Sequence, residues 1–332
     1  MKKASRKKRG KSKPTASRGI GVIISNIHRK LSGVLVVRDG DDIMRDPFTC
    51  CLKAAVAKCL DFNRVAHSKK HPLDEGYLLV SGLRGISEDL IVLRFLAQIP
   101  KKQRNEYLIA LLQRNLADGV AVQVKFFKAN NSTQPVVGAE SSDDEILSRV
   151  KGARDNLIVA SKGLGFAGVP TVASMARAVG LPATYDFIYF LTSNFVHFNP
   201  GALMRMGWGR ITKKGNKKQL RNVKFSASHM GGYYHNVAKF YGTILLVGFA
   251  HLLRSVPNLD AINLDAELGH IDQAIVALDR WPEVITFEEM NVRPPLFLLF
   301  RAMREVMRSE GEPIQFGQIL QELKAGAEVR AS

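Results

Sequence analysis

The sequence predicts an all-α protein, a multi-helix bundle with a short β-hairpin insertion. Three observations carry that prediction. Apolar residues recur three and four positions apart in segment after segment. No strand–helix–strand alternation is visible, so a parallel sheet has no basis. The one stretch that alternates loosely lies on either side of Gly215-Asn216, a turn dipeptide inside a basic run.

Each element follows from local signals. Ile20, Ile23, Ile24, Ile27, Leu31, Val34 and Leu35 mark a first amphipathic helix, and Asp39-Gly40-Asp41-Asp42 a turn after it. Pro47 opens a second helix through Leu52, Val56 and Leu60 that stops before Pro72. A third runs from about Asp74 to Gln98, and Pro100 opens a fourth that reaches Phe127. Residues 130–142 read as a linker, and Ser142-Asp143-Asp144-Glu145 as the acidic start of the next helix, where negative charge suits the helix dipole. Gly163 to Gly168 is glycine-rich, but no strand precedes it and no Lys-Ser/Thr follows, so it is no phosphate loop. A short helix over Val169–Val179 ends at Gly180, and Pro182 starts another that reaches about Phe195. A long apolar helix spans Ser228 to Arg254, with further helices near Leu264–Arg280, Thr286–Arg308 and Pro313–Ala325.

With 46% hydrophobic and 23% charged residues, the 332-residue chain has the mixture of a globular protein with a sizeable core. Cys50, Cys51 and Cys59 are odd in number and clustered, which is no disulfide framework and fits a reducing, cytoplasmic setting. No Cys/His spacing resembles a zinc site, and no cofactor motif is present. The basic N-terminus lacks a clean apolar region with a cleavage site, so no secretory signal is expected. The apolar run Thr243–Leu253 is shorter than the roughly 20 residues a bilayer requires, so a buried core helix and no membrane contact are expected.

The formal charge is +18, and its distribution is uneven. Residues 1–18 carry nine Lys and Arg and no acid, and are expected to form a disordered basic tail before a single helical domain at 19–332. The loop or hairpin at 205–225 carries eight more: Arg205, Arg210, Lys213, Lys214, Lys217, Lys218, Arg221 and Lys224, again without an acid. The rest of the chain is nearly neutral. Two segregated basic blocks point to a polyanionic partner, with nucleic acid, and RNA in particular, as the expected one.

One polar constellation stands out. Arg84 and Glu88 are four apart on a helix and share a face. Tyr185, Tyr189, Ser193 and His197 are each four apart and form a slowly drifting stripe, with Pro200 ending the helix just beyond His197. Arg84, Glu88 and His197, assisted by Tyr189 and Ser193, are the candidate catalytic residues. Arginine grips a phosphate through two donors, histidine exchanges a proton near neutral pH, and glutamate orients the histidine or balances the arginine. The alternative is a structural network: an Arg84–Glu88 ion pair, His197 capping a helix end, and tyrosines in the core. His229, Tyr233, Tyr234 and His235 read as a surface cluster at the start of the long helix, and Asp260, Asp265, Glu267, His270 and Asp272 as a solvated acidic face.

The Arg-x-x-x-Glu helix, the segment Met-Ala-Arg-Ala-Val-Gly-Leu-Pro-Ala-Thr-Tyr-Asp-Phe-Ile-Tyr at 175–189 and Ser-Asn-Phe-Val-His at 193–197 resemble a bacterial helical family with no assigned activity. The resemblance covers roughly residues 50–205. That family is in turn distantly similar to HEPN proteins, helical bundles that include RNA-cleaving toxins and anti-phage effectors. In HEPN nucleases an Arg-x(4–6)-His motif supplies an arginine for the scissile phosphate and a histidine that moves a proton at the 2′-hydroxyl. Such a resemblance implies a metal-independent ribonuclease and a homodimer. The chain departs from the motif, because no arginine stands four to six residues before His197. Arg64 and His71 have the spacing, but so many arginines give one or two such matches by chance. A helical scaffold that binds a partner protein is the non-enzymatic alternative.

Overall fold

The structure, a computed structural model, describes residues 16–35, 46–68, 76–129, 143–214, 217–256 and 263–276. Ten helices and one two-stranded antiparallel ribbon account for most of them, so the chain is all-α with a hairpin insertion. In order they are α1 (Ala16–Ser32), α2 (Pro47–Ala66), α3 (Gly76–Ala97), α4 (Lys101–Ala129), α5 (Asp143–Gly163), α6 (Val172–Ala178), α7 (Pro182–Val196), α8 (Pro200–Arg205), β1 (Gly207–Lys214), β2 (Lys217–Phe225), α9 (Gly231–Arg254) and α10 (Asp265–Val276). A short 3-10 turn, Ala227–Met230, leads into α9.

Local chemistry explains several boundaries. Pro47 opens α2, where its missing N–H costs nothing, and Asp46 caps it by accepting from the Thr49 N–H at 3.3 Å. Thr171 caps α6 in the same way at 3.1 Å, and Gly180 ends that helix with φ +71°, a conformation that disfavours a β-carbon. The helical stripe of α1 is buried at Ile20, Ile24, Ile27 and Leu31, as the spacing predicts. Residues 1–15, which hold most of the basic tail, the turn at 39–42, the linker at 130–142 and the two C-terminal helices expected beyond 280 lie outside the described residues.

Helix α9 is the axis of the bundle. Phe240, Ile244, Leu245, Val247 and Phe249 are buried, and the helix packs on α2, α3 and α10. The helical run Ala227–Arg254 has the length and hydropathy to cross a membrane, yet 83% of its apolar window is buried inside the protein. Buried Asn63 ties α2 to this axis by donating to the Gly242 carbonyl and to its own Cys59 carbonyl, both at 2.9 Å. Gly242 is needed there, because a β-carbon would stand 2.6 Å from the Phe62 ring. Likewise, a β-carbon on Gly76 would collide with the Gly231 carbonyl and the His235 N–H, so glycine lets α3 begin against the start of α9.

Two of the four residues of the polar aromatic cluster expected on the surface are instead internal, while His229 and Tyr233 are half-buried. Tyr234 is 1% exposed and His235 is fully buried, with Nε2–H donating to the Ala66 carbonyl at 2.7 Å. The long helix is enclosed on nearly every side, so its first turns enter the core along with its apolar middle. The acidic face of α10 is also partly engaged: Glu267 accepts from Lys30 of α1 at 2.8 Å, and Asp265 pairs with Arg254 of α9.

Candidate functional site

Helix α3 has two faces with different work. Leu83, Ile86 and Leu90 are buried in the core. Tyr77, Arg84 and Glu88, spaced seven and four apart, lie along a face that meets α7. Aromatic packing fixes how α7 arrives there. Phe195, near its end, meets Tyr77 of α3 edge-on at 4.9 Å and Tyr234 of α9 edge-on at 4.7 Å. Two residues later His197 leaves the helix in extended conformation, its N–H still bonded to the Ser193 carbonyl at 3.1 Å. Asn199 then closes the corner, bonding the Asn194 side chain at 2.5 Å and capping α8 through the Ala202 N–H at 3.1 Å.

The result is a contact between residues 113 positions apart. Arg84 Nη1 lies 3.1 Å from His197 Nε2. Arginine can only donate, so Nε2 accepts and the imidazole is the neutral tautomer with its proton on Nδ1. Arg84 Nε donates to Glu88 Oε1 at 2.9 Å, and the guanidinium carbon sits 4.5 Å from the centre of the Tyr189 ring. One guanidinium is thereby held by a carboxylate, an aromatic face and an imidazole. The Glu88 hydrogen bond raises the arginine's affinity for its proton above the ordinary arginine range. Burial pushes the Tyr185 hydroxyl up, with the Glu88 charge adding to it, and its ring packs 5.4 Å from Tyr189.

The site is open. His197 is exposed, Tyr189 is 38% exposed, and the Arg84 and Glu88 side chains are 24% and 30% exposed. The structure therefore brings Arg84, Glu88, Tyr189 and His197 together on one accessible surface. Ser193 lies one turn before His197, with its Oγ shielded from solvent and without a hydrogen-bond partner among the described residues. Arg64 is instead paired with Asp61 at 3.1 Å, and His71 lies outside the described residues. The Asn194–Asn199 corner was not anticipated, although Asn199-Pro200 is a recognisable cap-and-start pair. Among the described residues no three His, Cys, Asp or Glu side chains form a group that could hold a metal ion.

The basic ribbon begins just past this corner. Arg205 ends α8, and the other seven basic residues of the block lie on β1 and β2. The strands pair with Arg210 opposite Arg221, Lys213 opposite Lys218 and Lys214 opposite Lys217. At the base of the ribbon the Ser226 N–H donates to the Met206 carbonyl at 3.0 Å, and His229 Nδ1–H donates to the same carbonyl at 2.8 Å. The 3-10 turn carrying His229 packs on α3, so the ribbon is rooted on the helix that bears Arg84.

Residues 81–214 match the model of a family of unknown function (DUF5677). The match covers fewer than half of the 332 residues, but it contains Arg84, Glu88, Tyr189, Ser193, His197 and all of β1. No curated protein and no solved structure matches the chain.

Proposed function

We propose that the chain is a nucleic-acid-associated protein and a metal-independent, HEPN-like ribonuclease, with Arg84 and His197 as its reacting pair. The observation that carries the reading is the 3.1 Å contact between Arg84 Nη1 and His197 Nε2 on an accessible surface. A phosphodiester entering there would take the arginine's terminal donors, which releases the Nε2 lone pair beside the ribose. His197 then accepts the 2′-hydroxyl proton as that oxygen forms a bond to phosphorus. The P–O5′ bond breaks, the 5′-oxygen leaves with a proton from solvent, and a 2′,3′-cyclic phosphate remains. Glu88 and Tyr189 keep the guanidinium in place through these steps. The basic tail and ribbon supply long-range attraction for RNA. A toxin or phage-defence role in a bacterial cytoplasm is the setting that suits such an activity.

The test is cleavage of an RNA oligonucleotide in the presence of a chelator, by the whole chain and by Arg84→Ala and His197→Ala variants with intact helical content. The proposal expects cyclic-phosphate product from the whole chain and loss of it in both variants. Full activity in His197→Ala removes the site assignment.

A second reading, a scaffold that binds a partner protein, is favoured by one observation. The paired helices α4 and α5 leave large apolar side chains outside, with Leu116 60%, Val122 67% and Val159 69% exposed. An inert chain in the nuclease assay that yields a stable complex lost on Leu116→Asp and Val159→Asp substitution would select it.

A further inference from the structure

The strand register divides the ribbon's cations into two sets that the sequence does not separate. Beyond the irregularity between Trp208 and Arg210 the pairing is regular, so alternate rungs stand on alternate faces. One face carries the rungs Arg210–Arg221, Thr212–Gln219 and Lys214–Lys217. It has four cations and two hydrogen-bonding residues, with no apolar position. The other face carries Ile211–Leu220 and, toward the tip, Lys213–Lys218.

From this register we infer that the face bearing Arg210, Lys214, Lys217 and Arg221 is the phosphate-binding surface for RNA. The inference rests on the nucleic-acid reading above, though not on cleavage. Its two cationic rungs are four residues apart, or about 13 Å along the strands, so they reach separate phosphates rather than one. Thr212 and Gln219 occupy the rung between them, and both are residue types that hydrogen-bond ribose or phosphate oxygens. Opposed like charges also work against the ribbon itself. Each cation–cation rung destabilises strand pairing, and a lone two-stranded ribbon is marginal in water to begin with. A polyanion laid on this face converts that repulsion into attraction and stabilises the arm. The other face, where an apolar rung takes one of the two regular rungs, is unsuited to following a charged backbone.

Two double variants of the full chain test the assignment with equal loss of charge at neighbouring positions. Both are made in a His197→Ala background, so that cleavage does not consume the probe. Lys214→Gln/Lys217→Gln removes one rung of the proposed face, and Lys213→Gln/Lys218→Gln removes the adjacent rung of the opposite face. Binding of a single-stranded RNA oligonucleotide and of an RNA duplex is followed from 50 to 300 mM salt. The first variant should lower the slope of log K against log salt by about 1.4 on single strands, at roughly 0.7 per lost phosphate contact, and the second by no more than half of that. The same ordering on the duplex extends the surface to paired RNA, and its absence there assigns the surface to single strands. Equal losses, a larger loss from the second variant, or no RNA binding by the parent chain overturns the inference. Because the background is already inactive, a failed cleavage assay leaves this result readable.

Discussion

Arg84 and His197 share a hydrogen bond of 3.1 Å in which the arginine is the only possible donor. The pair is assembled by two aromatic contacts, Phe195 with Tyr77 and Phe195 with Tyr234, which hold the end of α7 against α3 and α9. Its geometry fixes a proton position, and that is directly measurable.

Long-range ¹⁵N–¹H correlation spectra of the neutral imidazoles should show the Nδ1–H form for His197 and the Nε2–H form for His235, whose Nε2 donates to the Ala66 carbonyl. In Arg84→Ala, His197 should lose its tautomer bias while His235 keeps its own. An Nε2–H form for His197 in the parent chain contradicts the contact.

If the ribonuclease reading holds, His197→Ala should lower the cleavage rate by about 10²- to 10⁴-fold, the usual worth of a positioned acid–base group. Arg84→Lys keeps the charge but loses the planar fork, and should still cost roughly 10²-fold. Single-turnover rates under chelation measure both. An Arg84→Lys enzyme with parental activity reduces the arginine to a point charge.

Stability should respond sharply at the α2–α9 crossing. Asn63→Ala removes two buried side-chain hydrogen bonds, to the Gly242 and Cys59 carbonyls, and should destabilise by about 1–3 kcal/mol. Gly242→Ala forces a β-carbon against Phe62 and should cost a similar amount, of order 1–3 kcal/mol. Urea midpoints measure both. Lys30→Ala, which breaks a pair with Glu267 in which the lysine side chain is 40% exposed, should cost about 1 kcal/mol.

His67 should make the fold acid-sensitive. Burial, reinforced by the charge of Lys239, depresses its pKa from the ordinary 6.5 to about 4, while Nε2–H donates to Thr243 Oγ1 at 2.9 Å. A depressed pKa means that the unfolded chain binds the proton first. The contribution is therefore complete above about 6.5 and is lost as pH falls through about 4, amounting to at most about 3 kcal/mol. Lys239 and His235 are the titratable groups that act on the ring. The parent chain should lose more stability between pH 7 and 4 than His67→Gln does, and equal losses in a denaturant series contradict the assignment.

Much of the fold is legible in the sequence because its signals are local. Ile20, Ile24, Ile27 and Leu31 define a buried stripe from spacing alone, and Asp46-Pro47 and Thr171 mark helix starts through bonds within one turn. The pairing of Arg84 with Glu88 is of the same kind, four residues apart on one helix. What needed the tertiary structure is everything that crosses between helices. No periodicity states that His197 reaches Arg84, since 113 residues separate them and the approach depends on how Phe195 packs between Tyr77 and Tyr234. Nor does composition reveal that Tyr234 and His235 enter the core, because a helix enclosed on nearly every side carries no exposed face to contrast with them. The sequence determined the helices, the basic blocks and the two polar stripes, through interactions that reach a turn or two. Only the tertiary structure decided that the stripes meet and which ribbon face each cation takes, because both depend on long-range packing and strand register.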